Sequence, residues 1–261
     1  MDEDGSPIRV VHVDDDPATL DLTRSYLERD HSELTVESFE DTEAAVERLE
    51  TTPSVDCVLS DYDMPGTDGL SFLATVRNRR PTVPFLLYTA RASDEIAVEA
   101  IDAGVDGYLR KDAGGGHFLQ LGTRIKREVE HARTEREHET QLAALEAARE
   151  GICVIGADGR IKYANRAYLD LYGYHREELV GERWERLSPD SEVALITRDV
   201  LPFVEEHGEW GGEGVGVRSD GTTFRESKSI ESLPDGELVV AVTAFESVSD
   251  SFGRGEAMSD A

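Results

Sequence analysis

Lysine is scarce in this 261-residue chain, with four of the 27 basic residues (Lys111, Lys126, Lys162 and Lys228) set against 55 acidic ones. The formal net charge is -28. So few cations cannot build a basic face, and a polyanion such as DNA would be repelled at ordinary salt. Direct nucleic-acid binding is therefore not expected. Cysteine is nearly absent. Cys57 and Cys153 both sit in apolar, strand-like runs and read as small core residues, not as a disulfide or a metal pair. No apolar run approaches the ~20 residues of a membrane span, and no signal peptide is visible. The expectation is a soluble, cytoplasmic protein with no membrane partner.

What is present is acid, spread evenly. Residues 1–125 hold 26 acidic and 11 basic side chains, net -15, and the remainder 29 and 16, net -13, so the charge is not a tail. Dense carboxylates with arginine in place of lysine resemble proteins of salt-filled cytoplasms, where the acids hold water and salt screens self-repulsion. An ordinary acidic cytosolic protein is the plainer alternative. At 39% hydrophobic and 31% charged residues, the length suits two modest globular domains.

Strand-like and helix-like segments alternate over residues 7–125. Ile8–Val13 runs into Asp14-Asp15-Asp16-Pro17, where Asp16 suits a helix cap and Pro17 the first helical position. Leu20, Leu22, Tyr26 and Leu27 would give that helix its inward stripe. Leu34–Phe39 alternates as a half-exposed edge strand does, and a helix through Ala44, Ala45, Val46 and Leu49 follows. The apolar run Val55 to Ser60 then ends on Asp61, ahead of the turn Pro65-Gly66. A helix through Leu70, Leu73 and Val76, a buried strand Val83–Tyr88, and a helix from Ser93 to Gly104 come next. Gly107–Leu109 and a helix beginning at Phe118, Leu121 and Ile125 complete the set. Five strands alternating with five helices predict an α/β doubly wound five-stranded parallel sheet covered on both faces.

In such sheets function gathers at the carboxyl ends of the strands. Asp14 and Asp15, Asp61, Thr89 and Lys111 all fall there. Three carboxylates without histidine or thiolate favour a hard cation such as Mg²⁺, and their mutual repulsion calls for one. A hydroxyl and an ammonium nearby can hold the other phosphoryl oxygens, so that charge is neutralised on all sides during transfer. Taken singly, Asp14 or Asp16 also suits a helix cap, Lys111 a solvated charge and Tyr108 a core aromatic.

Together these positions resemble a response-regulator receiver domain over residues 7–125. The resemblance implies that Asp61 is the phospho-acceptor, attacking a phosphohistidine on a sensor histidine kinase. It implies Mg²⁺ held by Asp15 directly, by Asp14 through water, and by Asp61 and the Asp63 main-chain carbonyl. Thr89 and Lys111 would bind the phosphoryl group, and Tyr108 would swing inward once Thr89 is recruited. The family's lysine usually precedes a cis proline. Here Asp112 and Gly114-Gly115-Gly116 follow, and a cis bond before a non-proline residue costs about 2.5–4 kcal/mol. How Lys111 is presented is left open, with the glycines suggesting a mobile loop.

Residues 126–140 are charged almost throughout without proline or glycine, a helical connector. The spacing of Phe118, Leu121, Ile125, Val129, Ala132, Leu142 and Leu145 hints at a homodimer seam. Beyond it, Asp158-Gly159, Asp220-Gly221 and Asp235-Gly236 mark hairpins, Asn165 caps a short helix, and Ser191–Glu206 is helical. This predicts an α+β domain with an antiparallel sheet. Gly211-Gly212-Glu213-Gly214-Val215-Gly216 lacks the Gly-Lys-Ser/Thr of a phosphate loop and reads as glycine-rich strand and bulge. With Tyr163-Ala164-Asn165-Arg166-Ala167, Glu178-Leu179-Val180-Gly181 and Trp210-Gly211-Gly212-Glu213, residues 141–248 resemble a PAS domain. His207 alone does not make a haem site, and no PAS ligand can be named. Residues 249–261 are small and polar, a disordered tail.

The combined expectation is a haloarchaeal-type two-component response regulator. It would be a phospho-acceptor rather than an enzyme beyond self-phosphorylation or self-dephosphorylation, relaying to a PAS domain and an unidentified downstream partner. The alternative is a PAS-based small-molecule sensor whose receiver only docks or modulates. His131 and His138 on the connector read as a solvated helix face, since no ATP-binding domain follows them.

Overall fold

The computed structural model describes residues 7–52, 54–91, 93–112 and 116–244. The chain divides into two compact units, Met1–His138 and Glu139–Ala261. The first alternates β1 (Ile8–Val13), α1 (Pro17–Asp30), β2 (Leu34–Phe39), α2 (Thr42–Thr51), β3 (Cys57–Ser60), α3 (Gly69–Arg79), β4 (Phe85–Thr89), α4 (Asp94–Asp102), β5 (Gly107–Arg110) and α5 (Gly116–Ala147). The sheet order is β2-β1-β3-β4-β5, with every pairing parallel.

The apolar runs explain that order. Every residue of β3 and β4 is buried, as central strands covered on both faces must be. β2, with its alternating burial, takes an edge. One face of the sheet packs Val10, Leu59 and Leu86 against Leu27 of α1 and Phe118, Leu121, Ile125 and Val129 of α5. The other packs Val11, Val58 and Leu87 against Leu49, Phe72, Leu73, Val76 and Ala100. Asp16, Asp41, Asp68 and Ser93 cap the first four helices, each accepting a backbone N–H.

Three sequence expectations need correction here. Leu22 is 51% exposed, because Thr23, one residue further round the helix, takes the inward position. The strand expected from Val83 begins at Phe85, since Pro84 has no N–H to pair; its carbonyl instead accepts Val58 N at 2.8 Å. The proposed dimer seam is occupied within the chain. Phe118, Leu121, Ile125 and Val129 are buried in their own domain's core, while Leu142 is 53% exposed. The connector is helical, lying within the unbroken α5.

The second unit has β6 (Gly151–Ile155), β7 (Ile161–Ala164), α6 (Arg166–Tyr172), α7 (Arg176–Leu179), a 3₁₀ turn at Trp184–Leu187, α8 (Asp190–Leu195), a π turn at Ile196–Val200, α9 (Leu201–His207), β8 (Glu209–Val217), β9 (Thr223–Ser232) and β10 (Leu238–Ala244). Its strands are antiparallel, ordered β7-β6-β10-β9-β8. Gly159, Gly221 and Gly236 turn its three hairpins with φ of 78°, 84° and 81°.

The bulge expected among the β8 glycines is absent, and β8 pairs with β9 without a register shift from Glu209 to Val217. The irregularity lies in β6, between Val154 and Ile155. The β8 glycines answer to space instead. A Cβ at Gly212 would stand 2.5 Å from the Trp210 ring and one at Gly216 2.6 Å from Phe224. Of the expected loop glycines, Gly114 and Gly115 lie outside the described residues, as does the tail at 249–261, while Gly116 opens α5.

Candidate functional site

In the order β2-β1-β3, the direction of winding reverses between β1 and β3, and the carboxyl ends of those two strands meet there. Asp14 follows β1 and Asp61 follows β3. Asp14 N donates to Phe39 O at 3.1 Å and Asp61 N to Val13 O at 2.9 Å, so the sheet itself fixes both backbones.

Lys111 comes from the end of β5, where its N donates to Thr89 O at 2.8 Å. Its Nζ donates to Asp14 Oδ2 at 2.5 Å and to Asp61 Oδ1 at 2.7 Å. The Lys111–Asp112 peptide is trans, as no cis bond occurs among the described residues. The lysine therefore reaches the carboxylates without the family's usual peptide geometry.

Both carboxylates are buried. Burial pushes the Asp14 carboxyl above its ordinary range, opposed by the Lys111 ammonium. Asp14 Oδ1 accepts Asp16 N at 3.1 Å, and Asp61 Oδ2 accepts Asp63 N at 2.9 Å. Thr89 is buried at the end of β4, its Oγ1 accepting Arg91 N at 3.2 Å. Asp63 turns its side chain outward to Arg91 Nη1 at 3.2 Å. Tyr108 is half-buried on β5, packed beside the second core face, and its hydroxyl has no partner among the described residues.

Asp15 is exposed and lines an acidic hollow with Glu40, Asp41, Glu43, Met64 and Pro65. Among the described residues, no three acidic, histidine or cysteine side chains are grouped as a metal would need. With Lys111 seated between Asp14 and Asp61, the ammonium supplies the neutralising charge. The donors are nonetheless all hard carboxylate oxygens, the chemistry that suits Mg²⁺.

Several supports escaped the sequence reading. Ser60 Oγ donates to Asp61 O at 2.8 Å. Gly69, the first residue of α3, donates its N to Tyr62 O at 2.8 Å, and a Cβ there would stand 2.7 Å from Leu87 Cδ2 and closer still to the Asp61 carbonyl oxygen. His12 lies two residues before Asp14, fully buried, with neither ring nitrogen hydrogen-bonded among the described residues. A histidine at period two from the site's first carboxylate, inside an apolar strand, was the available signal.

Residues 10–121 match the model of the response regulator receiver domain, and residues 145–210 match that of the PAS fold. The chain carries a response regulator receiver domain followed by a PAS fold. It is 35% identical over 108 residues to the transcriptional regulatory protein TrcR of Mycobacterium tuberculosis, covering 41% of each chain. It is 26% identical over 239 residues to the bacterioopsin transcriptional activator of Halobacterium salinarum, covering 74% of this chain and 34% of that one. A CheY-like receiver structure from Methanospirillum hungatei is 28% identical, with TM-score 0.44, covering 50% of this chain and 99% of that one. This chain thus spans about two fifths or less of those two curated relatives' lengths.

The PAS core holds a second polar centre. Glu226 and Lys228, two residues apart on β9, both point inward. Lys228 Nζ lies 2.7 Å from Glu226 Oε1, and Tyr172 Oη donates to Glu226 Oε2 at 2.5 Å. Beside them is a cavity of about 30 Å³ lined by Tyr168, Tyr172, Ser188, Lys228 and apolar side chains. That is room for about one water molecule. Cys57 and Cys153 are free and buried, and burial pushes the Cys153 thiol up to about 12. No helix among the described residues is long and apolar enough to cross a membrane.

Proposed function

We propose that the chain is a phosphorylation-driven response regulator. Asp61 accepts a phosphoryl group from the phosphohistidine of a sensor kinase, and the PAS domain carries the change to a protein partner. The observation that carries this reading is Asp61 at the β1–β3 reversal with Lys111 Nζ 2.7 Å away. Asp14, Asp15, Asp61 and the Asp63 main-chain carbonyl would hold Mg²⁺. When bound, that ion supplies the positive charge that lets an anionic phosphoryl group approach a carboxylate.

The chain's own residues do the rest. An Asp61 carboxylate oxygen forms the new bond to phosphorus, the P–N bond to the donor imidazole breaks, and the nitrogen leaves with its electron pair. Lys111 turns from the carboxylates to one phosphoryl oxygen, and the Thr89 hydroxyl takes another. Tyr108, whose hydroxyl has no partner among the described residues to give up, follows Thr89 and alters the β5 surface.

The two curated relatives named above are a transcriptional regulatory protein and a transcriptional activator. In this chain, a net charge of -28 supports an output through protein contact over direct DNA contact. The lysine-poor acidity supports a salt-rich cytoplasm as its setting. The core cavity gives a PAS-based sensor little support, because its 30 Å³ is far below the few hundred Å³ of a typical ligand pocket; the larger hollow beside Phe203, His207 and Trp210, about 1220 Å³, lies outside that cavity.

The test is intact-mass spectrometry of the full chain with acetyl phosphate. One added phosphoryl group is expected with Mg²⁺, none with a chelator, and none in Asp61→Asn. Persistent labelling of Asp61→Asn would overturn the assignment.

A further inference from the structure

A fully buried imidazole without a hydrogen bond is an expensive feature. A neutral imidazole carries one N–H donor and one acceptor nitrogen. Leaving such a donor unsatisfied costs about 1–3 kcal/mol, and native interiors keep few of them. His12 has no exposure, and both its ring nitrogens lack a partner among the described residues. Val11 and Val13 flank it and Leu59 lies opposite on β3, while Ser38 lies opposite on β2 with its hydroxyl also unpartnered among the described residues. A valine or leucine would satisfy the packing with no polar debt.

The geometry shows what the ring is near. Strand alternation puts His12 and Asp14 on the same face of β1. His12 Nε2 lies 3.9 Å from Asp14 Oδ2, about 1 Å beyond hydrogen-bond length. That same oxygen accepts Lys111 Nζ at 2.5 Å. The Tyr88 ring has its centroid 6.5 Å away, and the Tyr88 hydroxyl is hydrogen-bonded to His117 Nε2 at 2.6 Å. Asp14 Oδ2 thus has one donor in contact and a second waiting behind it.

We infer that His12 is a positioning residue for Asp14: its ring N–H takes over Asp14 Oδ2 when Lys111 leaves that oxygen for the phosphoryl group. The inference rests on the phospho-acceptor reading of Asp61 with Mg²⁺. Without a second donor, a buried Asp14 released by Lys111 would lose its hold on one oxygen at the moment its orientation matters. A donor behind a metal-binding carboxylate fixes its rotamer, and removing such a donor typically weakens metal binding 10–100-fold.

The experiment uses the full chain as wild type, His12→Gln, which keeps an N–H donor, and His12→Leu, which fills the space without one. Mg²⁺ binding in the presence of beryllofluoride, a phosphoryl mimic that draws Lys111 away, is measured by titration calorimetry, and metal-free thermal unfolding is recorded for each. The His12 ring is followed by ¹H–¹⁵N NMR of wild type, first with Mg²⁺ and then with beryllofluoride added as a phosphoryl mimic. His12→Leu should bind Mg²⁺ about 10–100-fold more weakly while His12→Gln stays near wild type. Metal-free His12→Leu should unfold at a higher temperature, a split that a purely structural histidine would not give.

In wild type, a downfield, slowly exchanging ring N–H should appear with Mg²⁺ and beryllofluoride. The ring measurement needs no variant to fold. Unchanged ring signals, or Mg²⁺ affinity in His12→Leu equal to wild type, would overturn the inference while leaving the phospho-acceptor reading intact. A wild type that takes up no Mg²⁺ would overturn both.

Discussion

Asp14 just past β1 and Asp61 just past β3 share one ammonium, Lys111 Nζ standing 2.5 Å from the first carboxylate and 2.7 Å from the second. Two buried like charges are tolerated there only because a cation is seated between them. Lys111→Met should therefore destabilise the metal-free receiver by about 3 kcal/mol, the scale of removing one partner of a buried pair. Mg²⁺ should restore more stability to this variant than to wild type, because it would fill a vacated role. Urea unfolding followed by hydrogen exchange of the β1 and β3 amides, with and without Mg²⁺, measures both effects. An unchanged metal-free midpoint would show that the ammonium is not what holds the two carboxylates.

A second relationship joins α5 to α1. A Cβ on Gly122 would collide with the imidazole of His31, which is buried at the end of α1. Gly122→Ala gains helix propensity, about 1 kcal/mol, but overpacks this contact at about 1–3 kcal/mol. The net expectation is loss of stability. Adding His31→Ala should turn Gly122→Ala from unfavourable to favourable, and a double-mutant cycle measures that change of sign. Additive effects would mean that the ring moves aside at no cost.

Much of the receiver could be read from sequence because its signals are local. A buried strand ending on Asp61, caps at Asp16 and Ser93, and β2's alternation each depend on neighbours within a few residues. The placing of Asp14, Asp61, Thr89 and Lys111 at strand ends follows from the rule for such sheets, whereas the seat of Lys111 between the two acids is not foreseen by it, the lysine reading there as a phosphoryl-binding cation. What stayed hidden depends on space across the fold. The stripe from Phe118 to Val129 has the same period whether it meets a sheet or a second helix, and only the tertiary structure shows that it meets the sheet. The β8 glycines likewise make room for Trp210, Phe224 and Glu192, which no local rule supplies. Nothing local marks Glu226 and Lys228 as an inward pair, because burial of both ends of an ion pair is rare.

The edge strand β2 is tied to α2 by Glu37 and Arg48, whose Nε and Nη2 each donate to a carboxylate oxygen at 2.5 Å. Arg48 holds the Glu37 carboxyl below its ordinary value of 4.5. The folded state therefore binds this proton less readily than the unfolded state does. The contribution is whole above pH 4.5 and is lost as pH falls from there through the lowered folded value. Both side chains are about one-third exposed, so the size should be only ~0.5–1 kcal/mol. Wild type should exceed Glu37→Gln in stability by that amount at pH 6, and the gap should close by pH 3. The difference between the two proteins is the quantity to measure, since the other carboxylates titrate alike in both. A gap that widens on acidification would contradict the assignment.

Inside the PAS domain, Glu226 has no exposure and depends on Lys228 and Tyr172 for its charge balance and hydrogen bonding. Burial, followed by the adjacent Glu226, pushes the Tyr172 phenol well above its ordinary range, so Tyr172 stays a donor throughout the usable pH range. Removing the cation alone leaves a buried carboxylate with one neutral donor. Lys228→Met should cost the PAS domain about 3–5 kcal/mol. The double variant Glu226→Gln with Lys228→Met removes both charges and keeps an acceptor for Tyr172, so it should cost less than Lys228→Met alone. Both tryptophans, Trp184 and Trp210, lie in the second unit, so tryptophan fluorescence during guanidinium unfolding reports this domain within the full chain. If the double variant is less stable than the single one, Glu226 is held by the surrounding β9 and α6 packing and not by its charge partner.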